Sequence, residues 1–164
     1  MSNATNNFAF IDSQNLHLGI KSLGWKLDYR KFRLFLKNKY GVSKAFLFVG
    51  YLPNNQTLYA NLQQAGYILI FKPVVFFNNS FGQPTAKGNV DAELVLHAAA
   101  IQYQKYDKAI IVTNDGDFTC LLEYLETQNK LEKILAPNKR YSRLFKPYIG
   151  KLLTLDNLQK KLEI

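Results

Sequence analysis

Apolar residues arrive along this chain in two rhythms. Short unbroken runs, such as FAFI at 8–11, AFLFV at 45–49 and AIIV at 109–112, have the length and β-branched or aromatic content of strands buried on both faces. Between them apolar residues recur every three or four positions. Leu58, Leu62 and Ala65 form one such stripe, closed by Gly66, and Phe118, Leu121, Leu122 and Leu125 form another. The pattern predicts strands over 8–12, 44–51, 67–71, 108–113, 133–136 and 151–154. Helices are predicted in the stretch after residue 12, over about 28–39, through the stripe of Leu58, Leu62 and Ala65, and over 90–106 and 117–129. A last helix begins at Asp156, with Gln159 three residues on as a capping box. Residues 78–89 (NNSFGQPTAKGN) are the one extended polar Gly/Pro stretch and read as a mobile loop.

Strand–helix alternation with apolar strands specifies an α/β fold, a three-layer α/β/α sandwich around a central, mainly parallel sheet. At 164 residues the chain fits one domain, taken as 7–164. Residues 1–6 are expected to be disordered or a cloning remnant, outside the fold.

Composition narrows the function classes. A 48% apolar content excludes a disordered chain. Twenty-one Lys and Arg against twelve Asp and Glu give a net charge of +9, which makes a polyanion a natural partner. No charged-then-apolar leader and no membrane-length apolar run are present, so a cytoplasmic protein without membrane contact is expected. The single cysteine, Cys120, excludes an internal disulfide and reads as a small buried thiol.

Candidate chemistry sits where strands end. Asp12 closes the first strand; Asp115 and Asp117 crowd one strand–helix junction, with Gly116 between them to let the backbone bend tightly. A helix cap explains one carboxylate at one helix start, not two in the same turn. Close carboxylates repel unless a cation compensates. Asp91, in the first turn of the 90–106 helix, shares a face with Leu94, Val95, Ala98 and Ile101 and so points inward. Carboxylate oxygens in such a cluster suit Mg²⁺ or Mn²⁺, ions that serve phosphodiester hydrolysis. Asn15 is placed to hold a water or a phosphate oxygen, and Lys87 to position a phosphate backbone. Phe76, Phe77 and Phe81 offer either stacking faces for bases or the packing of a strand end. Glu93 and His97 read as an i,i+4 pair, and His17 as a packing or surface residue.

Three ordered motifs, FIDSQN at 10–15, KGNVD at 87–91 and TNDGDF at 113–118, resemble the NYN (LabA-like) domain, a branch of the PIN-like nuclease superfamily. The resemblance runs from Phe8 to about Leu155. It implies a PIN-like sandwich and a metal-dependent ribonuclease. Asp12, Asp91, Asp115 and Asp117 would form the acidic metal site, which is also the catalytic one, with Asn15, Lys87 and Asn114 at the substrate. Ser13 stands where the family has glycine, Thr113-Asn114 where it has Ser-Gly, and His97 where members often carry another Asp.

The expected function is hydrolysis of RNA by a water that one or two divalent ions activate, because no residue presents itself as a protein general base. The alternative is a catalytically weak or inactive nucleic-acid-binding or protein-interaction module that keeps the acidic pocket; His97 is the feature in its favour. An aspartyl-phosphate phosphatase fits poorly, since Gln14 occupies the position of the required second acid. A homo-oligomer is left open.

Overall fold

The computed structural model describes residues 5–51, 53–73, 75–87 and 90–164. Six strands form one sheet: β1 (Asn7–Asp12), β2 (Val42–Tyr51), β3 (Tyr67–Pro73), β6 (Ala109–Val112), β7 (Leu131–Ala136) and β8 (Leu152–Thr154). Their order is β3-β2-β1-β6-β7-β8, and every neighbouring pair is parallel. The central runs of β1, β2 and β6 are apolar and buried because both faces are covered. In β1, Ala9 and Ile11 join one core, and Phe8 and Phe10 join the other. The first core packs α1 (Ser13–Lys21), α2 (Tyr29–Tyr40) and α3 (Gln56–Gln64) through Leu16, Ile20, Phe32, Leu36 and Leu62. The second packs α4 (Asp91–Leu96) and α5 (Thr119–Thr127) through Leu94, Leu121, Leu122 and Leu125. This is the three-layer sandwich that the alternation of strands and helices predicts.

Strand order creates the site. From β1 the chain moves to β2 and β3 on one side, then returns to lay β6 on the other. The carboxyl ends of β1 and β6 therefore flank the topological switch point, the crevice where open α/β sheets bind ligands. Local signals fix helices α2 and α3. Asp28 caps α2 by accepting from the Arg30 and Lys31 amides at 2.9 and 3.1 Å. Gly66, at φ +102°, turns the chain out of α3 into β3.

Several expectations change. Part of the anticipated mobile loop is a β-hairpin, β4 (Val75–Asn78) paired antiparallel with β5 (Pro84–Lys87). The Asn79 side chain organises its turn by accepting from the Phe81 and Gln83 amides at 2.9 and 3.0 Å. The 90–106 helix is α-helical only through Leu96. It then widens into a π-turn (His97–Ile101) and tightens into a 3₁₀ turn (Tyr103–Lys105). The Tyr106 hydroxyl donates to the Ala98 carbonyl at 2.6 Å, and the Gln102 amide reaches back to His97 instead.

At the C-terminus, a 3₁₀ turn (Leu155–Leu158) leads into α6 (Gln159–Leu162). No capping box forms there: Asp156 faces Lys139 at 3.7 Å, and the Gln159 amide donates to Glu163. Within the stretch set outside the fold, Asn6 is tied by its backbone to the Asp107 carboxylate and by its side chain to the Lys105 carbonyl. Among the described residues no helix is long and apolar enough to cross a membrane.

Candidate metal centre

Asp12 ends β1 and caps α1, accepting the Asn15 amide at 3.4 Å, while Thr113 donates its hydroxyl to the other oxygen at 3.4 Å. Asp115 follows β6 and opens the 3₁₀ turn Gly116–Phe118. Its own amide donates to Thr113 Oγ1 at 3.1 Å, and its carboxylate accepts the Asp117 amide at 2.9 Å. Asp91 begins α4 from the opposite side of the crevice. The three carboxylates converge: one oxygen of each lies within 4.8 Å of the others. Both capping roles are therefore real, yet the acids still meet across three separate elements, which capping does not require.

Electrostatics registers the crowding. Burial pushes the Asp12 carboxyl up from 3.8 to about 6, and the Asp91 and Asp115 charges add to it. Asp91 is shifted in the same direction, by burial first and then by Asp115 and Asp117, with Lys72 opposing. Two carboxyls raised in this way, beside the oxygens of a third, fit a small hard divalent cation.

Asp117 stands apart from this group of three. It is exposed, because in a 3₁₀ turn side chains two positions apart diverge rather than share a face. Its charge nevertheless reaches Asp91. Gly116 departs from its expected role as well: its φ is not in the left-handed region. A Cβ there would fall 2.4 Å from Ser142 Oγ and 3.2 Å from Leu144 Cδ1, so the missing side chain makes room for the segment after β7.

The Asn15 and Asn114 side chains meet at the crevice. Asn15 Nδ2 donates to Asn114 Oδ1 at 2.7 Å, and the Asn114 backbone amide donates to Asn15 Oδ1 at 3.0 Å. This reciprocal pair locks the start of α1 to the end of β6 and so holds Asp12 and Asp115 in register. Lys87 ends β5 opposite Val75; its side chain lies outside the described residues, as do Gly88 and Asn89 of the same motif. The side chains of Phe76 and Phe77 are likewise outside them, while Phe81 is fully on the surface at 85% exposure.

The Glu93 charge acts on His97, as the i,i+4 spacing suggests, but among the described residues the two share no hydrogen bond or ion pair. Glu93 meets Lys72 at 3.5 Å, and the His97 ring packs on Phe48 and Phe46, with centroids 5.3 and 6.3 Å away. The π-turn that starts at His97 and the aromatic surface of β2 account for the ring's position. His97 is no member of the carboxylate group. Cys120 is exposed rather than buried, since the buried stripe of α5 runs through Leu121, Leu122 and Leu125. His17 is at the surface, as its pattern suggested.

Residues 8–146 match the model of the NYN domain family. The chain belongs to that family. NYN domains form a branch of the PIN-like nuclease superfamily that generally uses divalent metals on RNA, and an aspartate cluster at this place points to a nuclease. Among curated proteins there is no match. The fold is similar to the crystal structure of a protein of unknown function from Vibrio parahaemolyticus, with a TM-score of 0.79 and 20% identity over 100% of this chain and 99% of that one. At that identity the likeness concerns the fold alone.

Two residues outside the expected site set also build the site. Thr113, fully buried, bridges Asp12 and the Asp115 amide. Asn138, just after β7, is also buried: it donates to the Gly19 carbonyl at 3.0 Å and accepts the Arg140 amide at 2.8 Å. The signal for Asn138 was its place two residues after a buried strand, legible only once β7 is known to lie beside β6.

Proposed function

We propose that this NYN domain is a divalent-metal-dependent ribonuclease. The observation that carries the reading is the convergence of Asp12, Asp91 and Asp115, with oxygens within 4.8 Å, at the switch point of a NYN-family sheet. Those three residues would hold the cation, with Asp117 on the rim. When bound, the ion supplies Lewis-acid chemistry: it orients the phosphodiester, lowers the pKa of the attacking water and stabilises the leaving oxygen. The Asn15–Asn114 pair would hold two of the acids at fixed separation, which is preorganisation, beside the substrate. Thr113 orients Asp12 for the same purpose. The donors are all oxygen, which supports Mg²⁺ or Mn²⁺ over softer-ligand metals.

Cleavage of single-stranded and structured RNA is measured with Mg²⁺, with Mn²⁺ and with chelator, for the wild type, Asp115→Asn and Asp117→Asn. The expected result is metal-dependent cleavage that Asp115→Asn reduces by at least about a hundredfold, the scale of a lost electrostatic catalytic group. Asp117→Asn is expected to reduce it less, in keeping with its exposed position. Equal cleavage by wild type and Asp115→Asn would refute the assignment. Retained, salt-sensitive RNA binding without cleavage would favour the binding-module alternative.

A further inference from the structure

An open cleft of about 410 Å³ runs from the acidic cluster toward the segment after β7, between α1 and residues 138–140. Asp12 and Asp115 lie at one end, and Leu18, Asn138 and Arg140 line its walls. The two walls are pressed together at one point. A Cβ on Gly19 would fall 2.5 Å from Pro137 Cβ, and the Asn138 side chain donates both to the Gly19 carbonyl and to Ser22 Oγ. The cleft is therefore a built feature, held by a buried amide, and not a gap between loose loops.

Its polar groups divide into spent and free. The amides of Asn15, Asn114 and Asn138 are chained to one another and to backbone, and Ser22 donates to the Gly19 carbonyl. The Arg140 backbone is fixed by Asn138 at 2.8 Å, while its exposed guanidinium makes no hydrogen bond or ion pair with the described residues. Charge in this region is one-sided. Between Pro137 and Leu155 the chain carries Lys139, Arg140, Arg143, Lys146 and Lys151 and no acid. Lys139 and Lys151 face Asp156 and Glu126, which leaves Arg140 as the cation at the cleft among the described residues. A fork of free N–H donors on a fixed backbone, beside carboxylates that a cation would neutralise, matches a phosphate group.

We infer that this cleft carries the phosphate backbone of a single RNA strand leading away from the acidic cluster, with Arg140 gripping a phosphate next to the one cleaved. The inference rests on the ribonuclease reading and adds the path of the strand. Among the described residues no aromatic ring lines the cleft, and the one large apolar residue there, Leu18, faces solvent by half. Contact is accordingly to phosphate and sugar, which carries no base sequence. The grip is the same before and during cleavage, so Arg140 is a positioning residue whose loss raises KM and spares kcat.

The test compares Arg140→Gln, Arg140→Lys and, as a distant control, Lys161→Gln on the exposed side of α6. Affinity for a short unstructured RNA is measured against salt concentration in an Asp115→Asn background, and steady-state cleavage is measured in the otherwise native protein. Arg140→Gln is expected to lower the log–log salt slope by about 0.7, the value of one phosphate contact on a single strand. It is expected to raise KM about three- to tenfold with kcat unchanged, the range of an exposed charge-assisted contact. Arg140→Lys recovers the slope but not the full affinity, because a point charge replaces the fork. Lys161→Gln leaves both unchanged. An unaltered slope and KM in Arg140→Gln, alongside a wild type that binds and cuts RNA, would overturn the path and leave the ribonuclease reading standing. A wild type that neither binds nor cuts RNA would remove both.

Discussion

Replacing Asp12 by Asn should stabilise the metal-free protein while weakening its hold on a cation. In the folded, metal-free state the Asp12 carboxyl titrates at about 6 instead of 3.8, chiefly because it is buried. Ionising it in the fold is therefore penalised. The penalty is absent below the unfolded value of 3.8, grows as pH rises through the window and is complete above about 6. At about 1.36 kcal/mol per unit, that window corresponds to roughly 3 kcal/mol at neutral pH. Asn is as good an N-cap as Asp, so the bond from the Asn15 amide survives the substitution.

Thermal unfolding with chelator at about pH 7.5 should place Asp12→Asn roughly 6–12 °C above wild type. Near pH 4 the same comparison should shrink to about half a kcal/mol, since the wild-type group is then protonated in the fold. Adding Mg²⁺ or Mn²⁺ should reverse the order. A ligand at about a thousand times its Kd adds some 4.1 kcal/mol to the protein that binds it, more than the roughly 3 kcal/mol penalty, and the variant has lost one anionic donor. A variant less stable than wild type in chelator at neutral pH would refute the reasoning. So would a stability difference that does not change with pH.

Two further outcomes test how the site is held together. Gly116→Ala should destabilise the fold by about 1–2 kcal/mol, because the new Cβ meets Ser142 and Leu144; Ser142→Gly in the same background should restore most of the loss in a thermal melt. Asn138→Ala should cost about 1–3 kcal/mol in denaturant unfolding, by leaving the buried Gly19 carbonyl and the Arg140 amide without their partner; a change under about 0.5 kcal/mol would mean that water replaces the amide.

What the chain determines locally is clear in its first and sixth strands. Four or five consecutive apolar residues cannot be buried on both faces except inside a covered parallel sheet, so the layer architecture follows from pattern alone. Asp12 and Asp115 are legible as acids at strand ends for the same reason, since each stands where an apolar run stops. The motif order around them marks the family as well.

Other features are decided by contacts between residues distant in sequence. Whether Asp91 meets Asp12 depends on α4 crossing the end of β1, which no local signal near either residue encodes. Asp117 reads like Asp115 in sequence, yet the pitch of one 3₁₀ turn sends it to the rim. The end of α4 was set by a hydroxyl eight residues away, when Tyr106 took the Ala98 carbonyl out of the helical ladder. Gly116 looked like a bend and proved to be a space, because Ser142 arrives there only after β7 has paired with β6. Hydrophobic period is a property of neighbours in sequence and survives reading one residue at a time. The carboxylate spacing, the cleft and its free arginine are properties of strand order, and they come into being only when the sheet closes.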